Sequence, residues 1–226
     1  MTENRELFDE WPQKYDQWFT TPVGRLIRKY ESELIQDFLN PGPGEKILDA
    51  GCGTGVFTTD ILSAGTRVVG LDLSWPMLCR AEEKARGYPF HAALGDLMSL
   101  PFKKCSFDKV LSMTALEFVQ KPVEAVGELF RVTRRGGIVV VATLNRLSPW
   151  AESRMEEGKR GHPIFSKAIF RSPDQLRSLA PVKGLVRTAV HFKKEDDPNR
   201  AIEIENQGRI NGWDTGAFVA ARWQKP

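Results

Sequence analysis

The sequence predicts an α/β fold, a largely parallel sheet with helices on both faces, and three observations carry that expectation. From residue 46 onward, short strand-like apolar runs alternate with helix-like runs, the order that makes parallel neighbours joined by crossover helices. One of these runs, Ile47-Leu48-Asp49-Ala50, passes straight into Gly51-Cys52-Gly53-Thr54-Gly55. Three glycines spaced two apart suit a tight turn that a ligand can approach closely, and open α/β sheets take their ligands at the carboxyl ends of their strands. The chain has 226 residues, 41% hydrophobic and 27% charged, which is one full core with a modest elaboration and therefore a single domain over 1–226.

Each element follows from its local pattern. Residues 6–40 are expected to be helical, because Leu26, Ile27, Tyr30, Leu34, Ile35, Phe38 and Leu39 recur near the 3.6 period. Pro41-Gly42-Pro43-Gly44 ends that stretch. Strands are expected at 46–50, 67–72, 89–94, 107–113 and, after Gly136-Gly137, at 138–143, with helices at 56–64, 76–86 and 122–132 between them. Residues 145–171 show no clear element. Ser172-Pro173 opens a helix to Ala180, and 185–192 and 217–223 are strand-like runs joined by a long polar segment, expected as an antiparallel edge.

Composition narrows the function classes. The longest nearly uncharged apolar run, 136–144, is far short of the roughly 20 residues that cross a bilayer. The first residues lack a basic and then apolar leader pattern. No membrane span and a cytoplasmic location are therefore expected. Cys52, Cys79 and Cys105 have neither metal-ligand nor disulfide-framework spacing, and His91, His162 and His191 are scattered, so reduced thiols and no metal are expected. A net charge of +3 is too small to mark a nucleic-acid partner.

Two further carboxylates extend the glycine turn into a site. Asp72 closes the second strand, where an acid accepts hydrogen bonds from ribose hydroxyls in dinucleotide-binding sheets. Asp96, in Gly95-Asp96-Leu97, follows the third strand and is placed to accept from an exocyclic adenine amine. The plain alternative for both is local: each caps the turn or helix that follows, as Ser74 does after Asp72.

The ordered segments ILDAGCGTG, VVGLDLSWPML, GDLMSLPF, FDKVLSMTALEFV and GGIVVVATLN resemble the motifs of class I S-adenosylmethionine-dependent methyltransferases, in the branch similar to the quinone-biosynthesis C-methyltransferases. The resemblance spans about Lys46 to Asn145. It implies a Rossmann-like three-layer sandwich whose seven-stranded, mostly parallel sheet has an antiparallel last strand, and S-adenosyl-L-methionine as cofactor. By that likeness Gly51, Gly53 and Gly55 border the methionine moiety, Asp72 the ribose, and Asp96 with Leu97 the adenine, with Asp49 also in the cofactor-binding set. Leu73 and Met77 offer the adenine apolar contact, Met113 and Thr114 line the methionine side, and Tyr15 joins the set from the N-terminal segment. The function implied is methyl transfer to a small-molecule acceptor.

Three other functions compete for the same residues. An NAD-dependent dehydrogenase shares the strand, turn and distal acid, but Val56 stands where its third glycine would be. None of Tyr15, Tyr30 and Tyr88 is followed four residues on by lysine. A nucleic-acid amino-methyltransferase would carry an Asn-Pro-Pro-Tyr-like loop where this chain has Ser112-Met113-Thr114-Ala115-Leu116. A protein that binds S-adenosylmethionine without transferring its methyl shares every binding motif. The methyl is already activated by its sulfonium, so no general base is obligatory. Glu117, His162, His191 and Tyr15 are the candidates if one is used, each with an ordinary structural alternative, and no catalytic residue is assigned.

Two segments are expected to complete the site. Trp11, Tyr15, Trp18 and Phe19 make an aromatic stripe suited to a helical flap within residues 1–40, the alternative being simple core packing. Residues 146–171 mix Trp150, Phe165 and Phe170 with Arg146, Arg154, Lys159, Arg160, Lys167 and Arg171. They are expected to form a lid selecting a small apolar acceptor that bears a negative charge or is lipid-like.

Overall fold

The computed structural model describes residues 7–226. Seven strands, β1 (Lys46–Ala50), β2 (Arg67–Asp72), β3 (Phe90–Leu94), β4 (Phe107–Met113), β5 (Thr133–Leu144), β6 (Gly184–Ala189) and β7 (Phe218–Gln224), form one sheet. Their order is β3-β2-β1-β4-β5-β7-β6. β1 to β5 pair in parallel, with Leu48 beside Val69 and Val110. β7 is antiparallel to both β5 and β6.

Alternate residues of each strand supply the two faces of the sheet. Ile47, Leu111, Val140 and Phe218 belong to one core cluster, while Leu48, Val110, Val139 and Trp223 belong to the other. The first face is covered by α2 (Pro22–Leu39), α3 (Thr58–Leu62) and α8 (Pro198–Asn211), through Ile35, Phe38, Ile61 and Ala201. The second is covered by α5 (Pro122–Val132) and α7 (Pro173–Arg177), through Val126, Leu129 and Leu176. The result is the three-layer architecture expected from the alternation.

The last strand in sequence, β7, is antiparallel as expected, but the late strands are ordered differently from a simple antiparallel edge. β7 lies inside the sheet, and the edge is β6, which runs parallel to the first five strands. The burial explains the order: Phe218, Val219, Ala220, Ala221 and Trp223 are fully buried, whereas Leu185 of β6 is largely exposed. A strand covered on both faces takes the interior place.

The expected helix over 6–40, whose residue 6 lies outside the described residues, is divided into α1 (Pro12–Trp18) and α2 by a turn at residues 19–21. The Thr21 side chain caps α2 by accepting from the Gly24 N–H at 3.0 Å. Any Cβ on Gly24 would stand 2.0 Å from the Trp18 carbonyl oxygen, so glycine permits the tight approach. Two helices were not expected. α6 (Pro149–Lys159), capped by Ser148, lies in the stretch without a clear pattern and buries only Trp150 and Ala151. α8 lies in the polar segment and buries only Ala201, Glu205 and Gly208, a seam too small and polar to show as hydrophobic periodicity. The remaining helix, α4 (Trp75–Lys84), follows β2. Among the described residues no helix is long and apolar enough to cross a membrane.

Candidate active site

Strand order reverses at β1, which has β2 on one side and β4 on the other. A crevice opens at such a reversal, beyond the strands' carboxyl ends. The glycine turn leaves β1 there and folds over β2: the Gly51 and Cys52 N–H groups both donate to the Leu71 carbonyl, at 2.6 and 3.0 Å. Gly51 has φ 83°, and a Cβ on it would fall 2.4 Å from the Ala115 Cβ. Gly53 has φ 53° with nothing within 4 Å of its absent Cβ, so this backbone is open to the crevice.

A cavity of about 380 Å³ occupies the crevice. Of the residues expected at the cofactor, Asp49, Gly51, Gly53, Asp72, Leu73, Met77, Asp96, Leu97, Met113, Thr114 and Tyr15 all line it. Gly55 does not. Its absent Cβ faces Ala81 of α4 at 3.1 Å, so this glycine lets the turn pack against a helix.

The carboxylates hold the turn and face the cavity together. Asp72 Oδ2 accepts the Gly53 N–H at 2.9 Å and Oδ1 accepts the Ser74 N–H at 2.9 Å. Each oxygen keeps a second lone pair, so capping and ligand recognition are compatible. Burial pushes the Asp72 carboxyl above the usual range, against the pull of those N–H donors. Asp49 is pushed up to about 6 by burial, opposed by the 2.6 Å hydrogen bond that the Thr58 hydroxyl donates to it and reinforced by the charge of Asp72. Asp96 Oδ1 accepts the Met98 N–H at 2.8 Å. An acidic, glycine-floored cavity fits a ligand rich in hydroxyl and amine donors and carrying positive charge.

A second chamber of about 620 Å³ adjoins the first, and Phe8, Tyr15, Met77, Thr114 and Phe118 line both. Its walls come from α1 and α2 (Trp11, Trp18, Phe19, Glu31), from the loop after β4 (Glu117), and from α6 with the loop beyond it (Trp150, Arg154, His162, Phe165). Trp150 is fixed by donating its Nε1–H to the Phe192 carbonyl at 2.6 Å. Phe170 packs in the core and does not line the chamber. The N-terminal segment is tied down across the first cavity's rim: Asp16 accepts from the Thr54 hydroxyl and the Lys84 ammonium, both at 2.6 Å, and Asp9 accepts from Ser74.

The four candidate proton acceptors separate by position. His191 lines neither cavity; its ring sits between Glu205, at 3.0 Å, and Thr188, at 3.0 Å, in a buried network that holds α8. His162 faces the second chamber, but its Nδ1 accepts the Ile164 and Phe165 N–H groups at 3.3 Å and organises its own loop. Glu117 is fully buried, accepts the Leu144 N–H at 2.9 Å, and is raised to about 6 by burial. Tyr15 stands at the junction of the cavities beside Thr114, with burial pushing its phenol far up. Glu31, whose carboxyl burial raises to about 8, was not anticipated from the sequence. Its signal was present: an acid four residues after Ile27 and before Ile35, in the apolar stripe of α2.

Comparisons with known proteins agree with this geometry. A family model described as a methyltransferase domain matches residues 48–141. A demethylmenaquinone methyltransferase of Renibacterium salmoninarum is 35% identical, covering 77% of this chain and 73% of its own. An uncharacterised protein of Methanocaldococcus jannaschii is 30% identical over 97% of this chain and 98% of its own length. The crystal structure of a methyltransferase of Thermotoga maritima, described as a possible histamine N-methyltransferase, superposes with a TM-score of 0.77 at 24% identity, covering 98% of this chain and 99% of that one. Motif order, fold, paired cavities and relatives converge: this chain belongs to the class I S-adenosylmethionine-dependent methyltransferases.

Proposed function

We propose that the first cavity holds S-adenosylmethionine with its adenine by Asp96 and Leu97, its ribose by Asp72, and its methionine moiety by Gly51, Gly53, Met113 and Thr114. The observation that carries this reading is the union of two cavities at Tyr15, Met77 and Thr114. When bound, the cofactor supplies a methyl group already activated by its sulfonium. The chain's part is alignment and exclusion of water: Tyr15 and Thr114 shape the passage, and Trp11, Trp18 and Trp150 provide dry walls for the acceptor. The acceptor is a small molecule, because the chamber is bounded by side chains on several sides and has the volume usual for such ligands. Residues 1–40, of which 1–6 lie outside the described residues, act as a flap, and 146–171 as a lid, both parts of one domain. The three cysteines are unpaired, in keeping with work in a reducing cytoplasm.

Calorimetry is expected to show binding of S-adenosylmethionine and S-adenosylhomocysteine with micromolar Kd, roughly −8 kcal/mol. Absence of binding for both would falsify the cofactor assignment. Release of S-adenosylhomocysteine in the presence of small-molecule acceptors, and not with nucleic acid, tests the acceptor class.

A further inference from the structure

Six arginines among the described residues are buried or half-buried: Arg28, Arg80, Arg131, Arg154, Arg171 and Arg222. Five of them have their guanidinium groups bonded inside the protein. Arg28 reaches Asp60 at 2.8 Å, Arg80 reaches Glu83 at 3.1 Å, and Arg131 reaches Glu128 at 2.6 Å. Arg171 donates to the Leu116 carbonyl at 3.0 Å and Arg222 to the Phe38 carbonyl at 3.0 Å. Arg154 is the exception, with no hydrogen bond and no ion pair among the described residues. Its guanidinium instead lies over two rings of the second chamber, 5.1 Å from the Trp150 centroid and 5.7 Å from that of Phe165.

A guanidinium has five N–H donors and no acceptor, and those of Arg154 are left without protein partners on the chamber wall, available to a ligand there. The rings orient the group but take none of its N–H bonds. The carboxylates that face it are Glu31, Glu117 and Glu157, near enough to act through charge but not in contact. Burial raises the Glu31 carboxyl against the pull of Arg154's own charge, and Glu117 gives one oxygen to the Leu144 N–H while its other oxygen is buried without a hydrogen-bond partner. One guanidinium therefore lacks a close counter-ion where it faces the aromatic part of the chamber wall.

On the reading that the first cavity holds the methyl donor, we propose that Arg154 anchors the carboxylate of a small acceptor whose largely apolar body runs between the chamber's aromatic walls to the junction at Tyr15. A planar carboxylate matches the guanidinium fork with two parallel hydrogen bonds. A cationic acceptor is repelled by Arg154, and a phosphate dianion would set its second charge against Glu117 and Glu157. Arg154 is thus a positioning residue for the acceptor, apart from the cofactor's own contacts.

The experiment uses the full chain loaded with S-adenosylhomocysteine, titrated calorimetrically with 3-phenylpropanoate, 4-hydroxybenzoate and octanoate and with the primary amide of each. At least one acid is expected to bind about tenfold or more tighter than its amide, the discrimination of a hydrogen-bonded ion pair. Arg154→Gln is expected to remove that preference, and Arg154→Lys to keep part of it, while S-adenosylhomocysteine affinity stays within about twofold of wild type. Equal binding of acids and amides, failure of every acid to bind at millimolar concentration, or acid affinity unchanged in Arg154→Gln overturns the proposal. If Arg154→Gln melts before assay, the acid-to-amide comparison on wild type decides alone. Loss of S-adenosylhomocysteine binding by the wild type would instead count against the cofactor assignment.

Discussion

Asp72 does two jobs with one carboxylate, bracing the Gly53 and Ser74 N–H groups while turning its remaining lone pairs to the cavity. Asp72→Ala is therefore expected to weaken S-adenosylhomocysteine binding by about 1.5 to 3 kcal/mol, the scale of hydrogen bonds to a charged group. Calorimetry reads this directly, and an effect near zero would reduce Asp72 to a cap. The glycines of the same turn are unequal. At Gly51 a methyl meets Ala115 at 2.4 Å on a left-handed backbone, whereas at Gly53 only the φ of 53° is unfavourable. Gly53→Ala should cost about 1 kcal/mol, and Gly51→Ala about 1 to 3 kcal/mol more, in urea unfolding. Equal losses would mean that Ala115 moves aside. This asymmetry was not legible in the sequence, where the three glycines look alike, because it depends on which neighbour the fold puts beside each one.

Among the elements, α1 and the residues before it are held over the glycine turn by a few polar ties, Asp16 to Thr54 and Lys84 and Asp9 to Ser74, and α1 buries little beyond the phenol of Tyr15. A segment with few buried contacts opens at low free energy. Hydrogen exchange over residues 8–25 is expected to slow when S-adenosylhomocysteine binds, and more weakly in Asp16→Ala. Unchanged protection would rule out the flap and leave the aromatic stripe as ordinary packing. α6 and α8 show where periodicity fails. α6 uses one tryptophan pinned to the Phe192 carbonyl, and α8 uses Gly208, whose absent Cβ would strike the His191 ring at 2.3 Å. Glycine inside a helix argues against the helix by propensity alone. Here the ring of His191 occupies the space.

Across the whole molecule, burial raises four carboxyls among the described residues, Asp49 to about 6, Glu117 to about 6, Glu31 to about 8, and Asp72 above the usual range. Each binds its proton more tightly folded than unfolded, so its stabilising contribution is complete below the unfolded value and fades as pH rises through the folded one. The urea midpoint should therefore fall between about pH 5 and 8.5. A tenfold tighter hold on the proton is worth about 1.4 kcal/mol, and Glu31→Gln should recover roughly 1 to 3 kcal/mol at the alkaline end. Glu128 and Glu205 are held below the ordinary carboxyl range, and they act only at acid pH, below this window. A flat profile across that window, or one unaffected by Glu31→Gln, would show that water in the chamber relieves the burial.

Local chemistry along the chain is enough to write the alternation of strands and helices, the bounds of β4 and α5, the glycine turn after β1 and the acids at the ends of β2 and β3. Side-chain period, turn chemistry and the place of an acid after a strand are all set within a few residues of one another. Only the folded packing puts β7 inside β6, turns Gly55 to Ala81 while Gly51 and Gly53 face the cavity, and brings Glu31, Glu117 and Arg154 into one chamber. Those three chamber residues come from α2, from the turn after β4 and from α6, with 86 and 37 residues of chain separating one from the next. A pocket joins groups by distance in space, and burial assigns their charge only after the core has closed around them.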